Sequence, residues 1–165
     1  MNAYFHVELD SYKCEVTWYG RFALTMLKNA LLGFESADRK IAEDVIRQKN
    51  YVTNQYDILG ERGILLIALN QPMAKDLRLI SSCMDVVTSS ERIGRYGKDI
   101  AELIFDYDVR QIPPQLHQMV EATISILEIM YNAFESDDVS GLADCVKIEE
   151  RIDELYASLY ADLVS

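Results

Sequence analysis

The chain has 165 residues, half of them hydrophobic, and a formal net charge of −11. That length suits a single domain, and the hydrophobic share argues against disorder. Seven Gly and three Pro leave little material for the turns of an all-β fold, and the acidic balance works against docking on nucleic acid or on an anionic membrane surface.

Apolar residues recur at spacings of three and four with no sustained alternation, so the expected fold is all-α. A first helix is predicted from Leu9 to Phe34, with Phe22, Met26, Leu27, Ala30 and Leu31 on one face. Glu35-Ser36 breaks it. A second runs from Asp38 to Leu69 through Ile41, Val45, Val52, Leu59 and Leu66. Pro72 is placed at the start of a third helix, because proline fits a first turn and its predecessor resists helical geometry. That helix continues to Tyr107. Pro113-Pro114 marks the next break, a fourth helix runs to Phe134, and a fifth runs from Val139 to the end. The second and third helices, at roughly 33 residues each, would be ~50 Å long. Long helices joined by short loops predict an elongated antiparallel bundle. Gly60, Gly63, Gly94 and Gly97 cost a helix interior about 1 kcal/mol each, which fits either close backbone approach or simple tolerance in a long helix.

The chain matches itself at a shift of one hundred positions. Phe34-Glu35-Ser36 meets Phe134-Glu135-Ser136, and Asp38, Asp44, Tyr56 and Leu59 meet Asp138, Asp144, Tyr156 and Leu159. Residues 8–108 therefore read as a three-helix repeat and 113–165 as a partial second repeat of two helices. The position equivalent to Pro72 would lie beyond Ser165, so the second copy is expected to lack its third helix. Two helices cannot bury a broad apolar face alone. That face should be covered by the first repeat, by a second chain in a homodimer, or by both.

Cys14, Cys83 and Cys145 are odd in number and far apart, as expected of buried apolar residues in a reducing compartment. The longest apolar run, Ile64 to Leu69, is far short of the ~20 residues of a membrane span. Glu8 and Asp10 precede it, which is wrong for a signal peptide. The chain reads as soluble and cytoplasmic. His6 and His117 stand isolated, without the spacing of a zinc site. Nucleophile motifs and glycine-rich phosphate loops are missing, so no enzyme is predicted. Trp18, Tyr12, Tyr19, Tyr51, Tyr56 and Tyr96 read as the rim of the core, a position from which aromatics also anchor partners.

Gln71-Pro72, Asp76-Leu77-Arg78 and Glu91-Arg92-Ile93-Gly94, followed by Ile100-Ala101-Glu102, hold their order and spacing together. From about Tyr19 onward the chain resembles the PhoU family of phosphate-signalling regulators. The resemblance implies tandem three-helix bundles and a non-catalytic cytosolic regulator of phosphate transport and phosphate-responsive signalling. By that likeness its partners are a phosphate transporter subunit, a sensor histidine kinase, or both. Asp76 and Arg78 then serve either as a clamp between helices or as ordinary helix-end charges, Asp76 on the dipole and Arg78 capping neighbouring carbonyls.

The resemblance also implies a divalent or iron cation, held by acidic pairs one turn apart on the second and third helix of each bundle. Here Glu91 pairs with Arg95 in place of a second acid, and Lys49 and Thr53 replace both acids of the second helix. Glu149 and Asp153 keep the pair on the fifth helix. The metal candidates are thus Glu91, Glu149 and Asp153, and the guanidinium of Arg95 argues against a full site. An ion-pair ladder from Glu91 through Arg95 to Asp99 is the plainer expectation. Two alternatives stand beside a phosphate regulator. One is a paralogue of the scaffold with an unrelated protein partner. The other is a metal-binding helical bundle, which wants Glu-x-x-His pairs that this sequence lacks.

Overall fold

The computed structural model describes residues 3–106 and 113–164. Among them are five α-helices and no strand: α1 (Ala3–Ser36), α2 (Arg39–Asn70), α3 (Ala74–Asp106), α4 (Pro114–Ser136) and α5 (Leu142–Val164). No described helix is long and apolar enough to cross a membrane. The chain divides into two compact units, Met1–Tyr107 and Asp108–Ser165.

In the first unit each of α1, α2 and α3 packs on the other two. The core follows seams of alternating four and three spacing. On α1 the buried stripe is Phe5, Leu9, Tyr12, Val16, Tyr19, Ala23, Met26 and Ala30. On α3 it is Ile80, Cys83, Val87, Ser90, Gly94, Gly97 and Ala101. This spacing keeps one narrow face on the partner helix over many turns, as in a coiled coil. Large residues fill one end of the α3 seam and small ones the other. At the small end a Cβ on Gly97 would lie 3.1 Å from the backbone nitrogen of Leu27, so α3 rests almost directly on the backbone of α1. Gly94 meets Val52 of α2 and Gly63 meets Tyr12 and Met84, while Gly60 has nothing within 4 Å. Close approach thus explains three of these glycines, and tolerance explains Gly60.

The structure corrects several boundaries. The first helix starts at Ala3, not Leu9, because Phe5 lies one turn before Leu9 and is 1% exposed. Pro72 is not in the first turn of α3. It lies buried in the connection, after Gln71 turns the chain in the left-handed region at φ 47° and donates its N–H to the carbonyl of Ile67. The fifth helix starts at Leu142, three residues after Val139. The predicted end at Tyr107 and the 108 boundary fall outside the described residues. Tyr12 and Tyr19 are not rim residues. Both are 0% exposed, and each phenol donates to a carbonyl of α2, Tyr12 to Leu59 at 3.0 Å and Tyr19 to Val52 at 3.0 Å. That bond is what allows a phenol into the core.

In the second unit α4 packs on α5. Pro114 opens α4 at a first-turn position, where its missing N–H costs nothing. Among the described residues of this unit, only Tyr131 of α4 and Leu155 of α5 are buried. Local details recur one hundred positions apart. Ala37 and Asp137 both turn the chain in the left-handed region, at φ 53° and 58°. Asp38 accepts from the N–H of Lys40, and Asp138 accepts from that of Ser140, each at 2.9 Å. The second bond, with the Ser140 side chain, holds the Asp138 carboxyl below the usual carboxylate range. Across the first hairpin Arg62 of α2 donates to Glu15 of α1. Across the second, Gln115 of α4 donates to Asp162 of α5 at 2.7 Å. The two pairs lie one hundred positions apart at both ends.

Candidate functional site

Helix α3 carries the signature residues from Asp76 to Glu102, and its two faces treat them differently. Gly94 points inward against Val52. Glu91, Arg92, Arg95 and Tyr96 lie on the other side. Arg95 reaches Glu91 at 3.1 Å across one turn, and Arg92 donates to the Tyr96 hydroxyl at 3.2 Å. The ladder does not continue from Arg95 to Asp99. Asp99 meets Lys98 at 3.4 Å, and Lys98 also pairs with Glu102, whose hydrogen bond raises the Lys98 pKa. Pairs of this kind near the surface are screened by solvent and add little to stability.

At the start of α3, Asp76 lies in the first turn, where a carboxylate favours the helix dipole. It also lies 3.8 Å from His6 of α1. Arg78 is exposed, and Leu65, Leu69, Met73 and Leu77 form an exposed apolar group around the Gln71-Pro72 turn.

The predicted metal residues fall on different units. Glu91 is on the first and its carboxylate is engaged by Arg95. Glu149 and Asp153 lie on the second, one turn apart on α5 and both exposed. Among the described residues no three His, Cys, Asp or Glu side chains gather closely enough to hold a metal ion. The donor set therefore does not fit a bridging cation: one carboxylate faces a guanidinium, and the other two make only half a cage.

Sequence reasoning missed an aromatic ledge between α1 and α2. Trp18 stacks on Phe22 at 5.6 Å, and Tyr51 meets Phe22 at 4.9 Å and Trp18 at 6.0 Å. Trp18 remains 54% exposed. The Trp18–Phe22 spacing of one turn was visible, but Tyr51 joins only through the hairpin register. Rigid aromatics of this kind are suited to anchoring another protein. Beside α1 and α2 an open cleft of about 460 Å³ includes Ile41, Val45 and Arg47, and the Arg47 guanidinium is already held by Asp44.

Two core groups make stability depend on pH. Burial pushes the Tyr12 phenol up to about 12, with Cys83 adding and Arg62 subtracting. Burial pushes the Cys83 thiol up to about 11, with Lys13 pulling it back in part. Both are held neutral in the folded chain. The Cys83 contribution is complete below the unfolded-state thiol value of 9.0 and is lost as pH rises towards the folded value of about 11, and that of Tyr12 is complete below 10.0 and lost towards about 12. The urea midpoint should fall across that window, and Cys83→Ala should make the fall shallower. Equal slopes for both proteins would show that the thiol contributes nothing.

The comparisons with known proteins follow the geometry. The PhoU domain model matches residues 16–104. The chain is 28% identical over 167 residues to the phosphate-specific transport system accessory protein PhoU homolog of Streptococcus pneumoniae serotype 4, covering 99% of this chain and 77% of that protein. It is 24% identical to the phosphate-specific transport system accessory protein PhoU of Escherichia coli strain K12, covering 98% of this chain and 68% of that one. The crystal structure of the phosphate transport system regulatory protein PhoU from Streptococcus pneumoniae superposes with a TM-score of 0.86 at 27% identity, covering 97% of this chain and 77% of that one. With more than half its length inside the domain model, the chain belongs to the PhoU family.

Proposed function

We propose that this chain is a non-catalytic accessory regulator of a phosphate transport system, acting in the cytoplasm by protein–protein docking. The observation that carries the reading is the likeness to a PhoU regulatory protein along 97% of the chain, at a TM-score of 0.86. Its immediate partner would be a phosphate transporter subunit, a sensor histidine kinase, or both, and the chain would work as a homodimer. The aromatic ledge at Trp18 and the apolar group around Gln71-Pro72 supply exposed contact surface for such docking.

Within this reading residues 8–108 form one three-helix repeat and 113–165 a partial second. The equivalent cross-hairpin pairs Glu15–Arg62 and Gln115–Asp162 support it. The test is affinity purification of the tagged chain from its own cells, together with phosphate uptake in a deletion strain. A phosphate transporter subunit should co-purify, and uptake should change on deletion. Recovery of neither a transporter subunit nor a kinase, with uptake unchanged, would assign the scaffold to an unrelated partner.

A further inference from the structure

Helix α2 is apolar over a wider stripe than its neighbours cover. The pairs Tyr51-Val52, Ile58-Leu59 and Leu65-Leu66 recur at intervals of seven. The second residue of each pair is buried. The first is not: Tyr51 is 37% exposed, Ile58 and Leu65 are each 54% exposed, and Leu69 continues the row at 78%. With Gln55 and Arg62 between them, these residues fall at spacings of four and three from Tyr51 to Leu69. They form a second seam beside the buried one, about 27 Å long. Helix α1 supplies the other wall of a groove that α3 does not cover. Trp18 meets Tyr51 there, and Arg62 donates to Glu15 and lies over the Tyr12 ring at 5.9 Å. The cleft of about 460 Å³, the aromatic ledge and a smaller cleft of about 180 Å³ beside Glu8, Leu65 and Leu69 follow one another along this groove.

We propose that this groove takes the same groove of a second copy of the chain, the two α1–α2 faces meeting across a two-fold axis. The proposal rests on the homodimer reading, which it assigns to one face, and not on the phosphate role. A seam at four and three spacing asks for a helix, because knobs of one helix fill the holes of another at that repeat. A two-fold axis perpendicular to α2 sets the two copies of that helix antiparallel. Tyr51 of one copy then lies near Leu69 of the other, and the ledge at Trp18 packs against apolar side chains instead of water.

Charge selects this unit and favours a copy. Residues 3–106 carry thirteen Lys and Arg against fifteen Asp and Glu, a net −2. Along the groove Arg62 with Glu15 and Arg47 with Asp44 close their charges within one chain. Such a face has little net field to attract a strongly charged stranger and little to repel its own copy. Residues 113–164 carry a net −9, so two copies meeting there would repel. Homodimer interfaces are the more apolar class, and aromatic residues are enriched in them, as at Trp18, Phe22 and Tyr51.

The test uses the whole 165-residue chain. Sedimentation equilibrium between about 1 and 100 µM should show reversible dimers. Trp18 is the one tryptophan of the chain and stands on the proposed face, so its emission reports the contact. Emission should shift to longer wavelength on dilution, as water reaches the indole. Ile58→Asp with Leu65→Asp, both outside the core, should weaken association about a hundredfold or more with the circular dichroism unchanged. Leu163→Asp, at an exposed position on α5, should leave association as it is. Added salt should not dissociate the dimer, since no ion pair holds it. A monomer at the highest concentration, emission indifferent to dilution, or a dimer untouched at Ile58 and Leu65 would overturn the proposal. So would a dimer that Leu163→Asp dissociates. The fluorescence of the unaltered chain needs no variant, so the proposal can fail even where the double variant does not fold. A dimer indifferent to every substitution removes this face and leaves the homodimer standing. No transporter is present, so the accessory role is tested apart from all of these outcomes.

Discussion

Tyr19→Ala should lower the free energy of unfolding by about 3–5 kcal/mol, the range for removing a fully buried aromatic side chain. Tyr19 is 0% exposed and its hydroxyl holds the carbonyl of Val52 at 3.0 Å, so truncation removes both the ring from the α1–α3 seam and a tie to α2. Tyr19→Phe keeps the ring and should lose only about 1 kcal/mol, the worth of one buried hydrogen bond. Trp18 is larger and stands next to it in the chain, yet it is 54% exposed. Trp18→Ala should cost under about 1 kcal/mol, mostly from contact with Phe22 and Tyr51. Urea unfolding of the three variants measures the contrast. A loss at Trp18 equal to that at Tyr19 would mean that the core seam has been placed on the wrong face of α1.

Gly97→Leu and Gly60→Ala should move stability in opposite directions. A Cβ at Gly97 would meet backbone atoms of Met26 and Leu27 at 3.1 to 3.2 Å, and backbone cannot swing aside as a side chain can. A leucine there must push α3 off α1, at a cost of about 3 kcal/mol. Gly60 has nothing within 4 Å, so alanine adds helix propensity without a clash and should stabilise by about 0.5–1 kcal/mol. Thermal melts of the two variants decide the matter. Stabilisation by Gly97→Leu would contradict the close packing of these helices.

The helices were legible because their apolar spacing runs over many turns, and only two breaks depend on proline. The start of α1 was not. Tyr4 and Val7 are exposed apolar residues around a buried Phe5, so the stripe is hidden among hydrophobic neighbours until burial separates them. The glycines illustrate a different limit. Gly60 and Gly63 are three residues apart in the same helix, and only the position of Met84 and Tyr12 separates spare room from contact. Tyr12 and Tyr19 looked like boundary residues because a phenol needs a hydrogen-bond acceptor, and the acceptors are carbonyls of α2 that no local pattern reveals. For the signature itself, sequence spacing gave the Glu91–Arg95 pair directly, since one helical turn fixes it. It could not give the Trp18–Phe22–Tyr51 ledge, which exists only where two helices are in register.

Residues 113–164 carry eleven Asp and Glu against two Lys and Arg, most of the chain's net charge of −11, and this unevenness bears on the order of events when another molecule arrives. Diffusional capture responds to long-range potential, whereas residence time responds to short-range fit. A cationic visitor should therefore be caught first by α4 and α5, and only afterwards tested for shape. Raising ionic strength would slow arrival while leaving departure nearly unchanged.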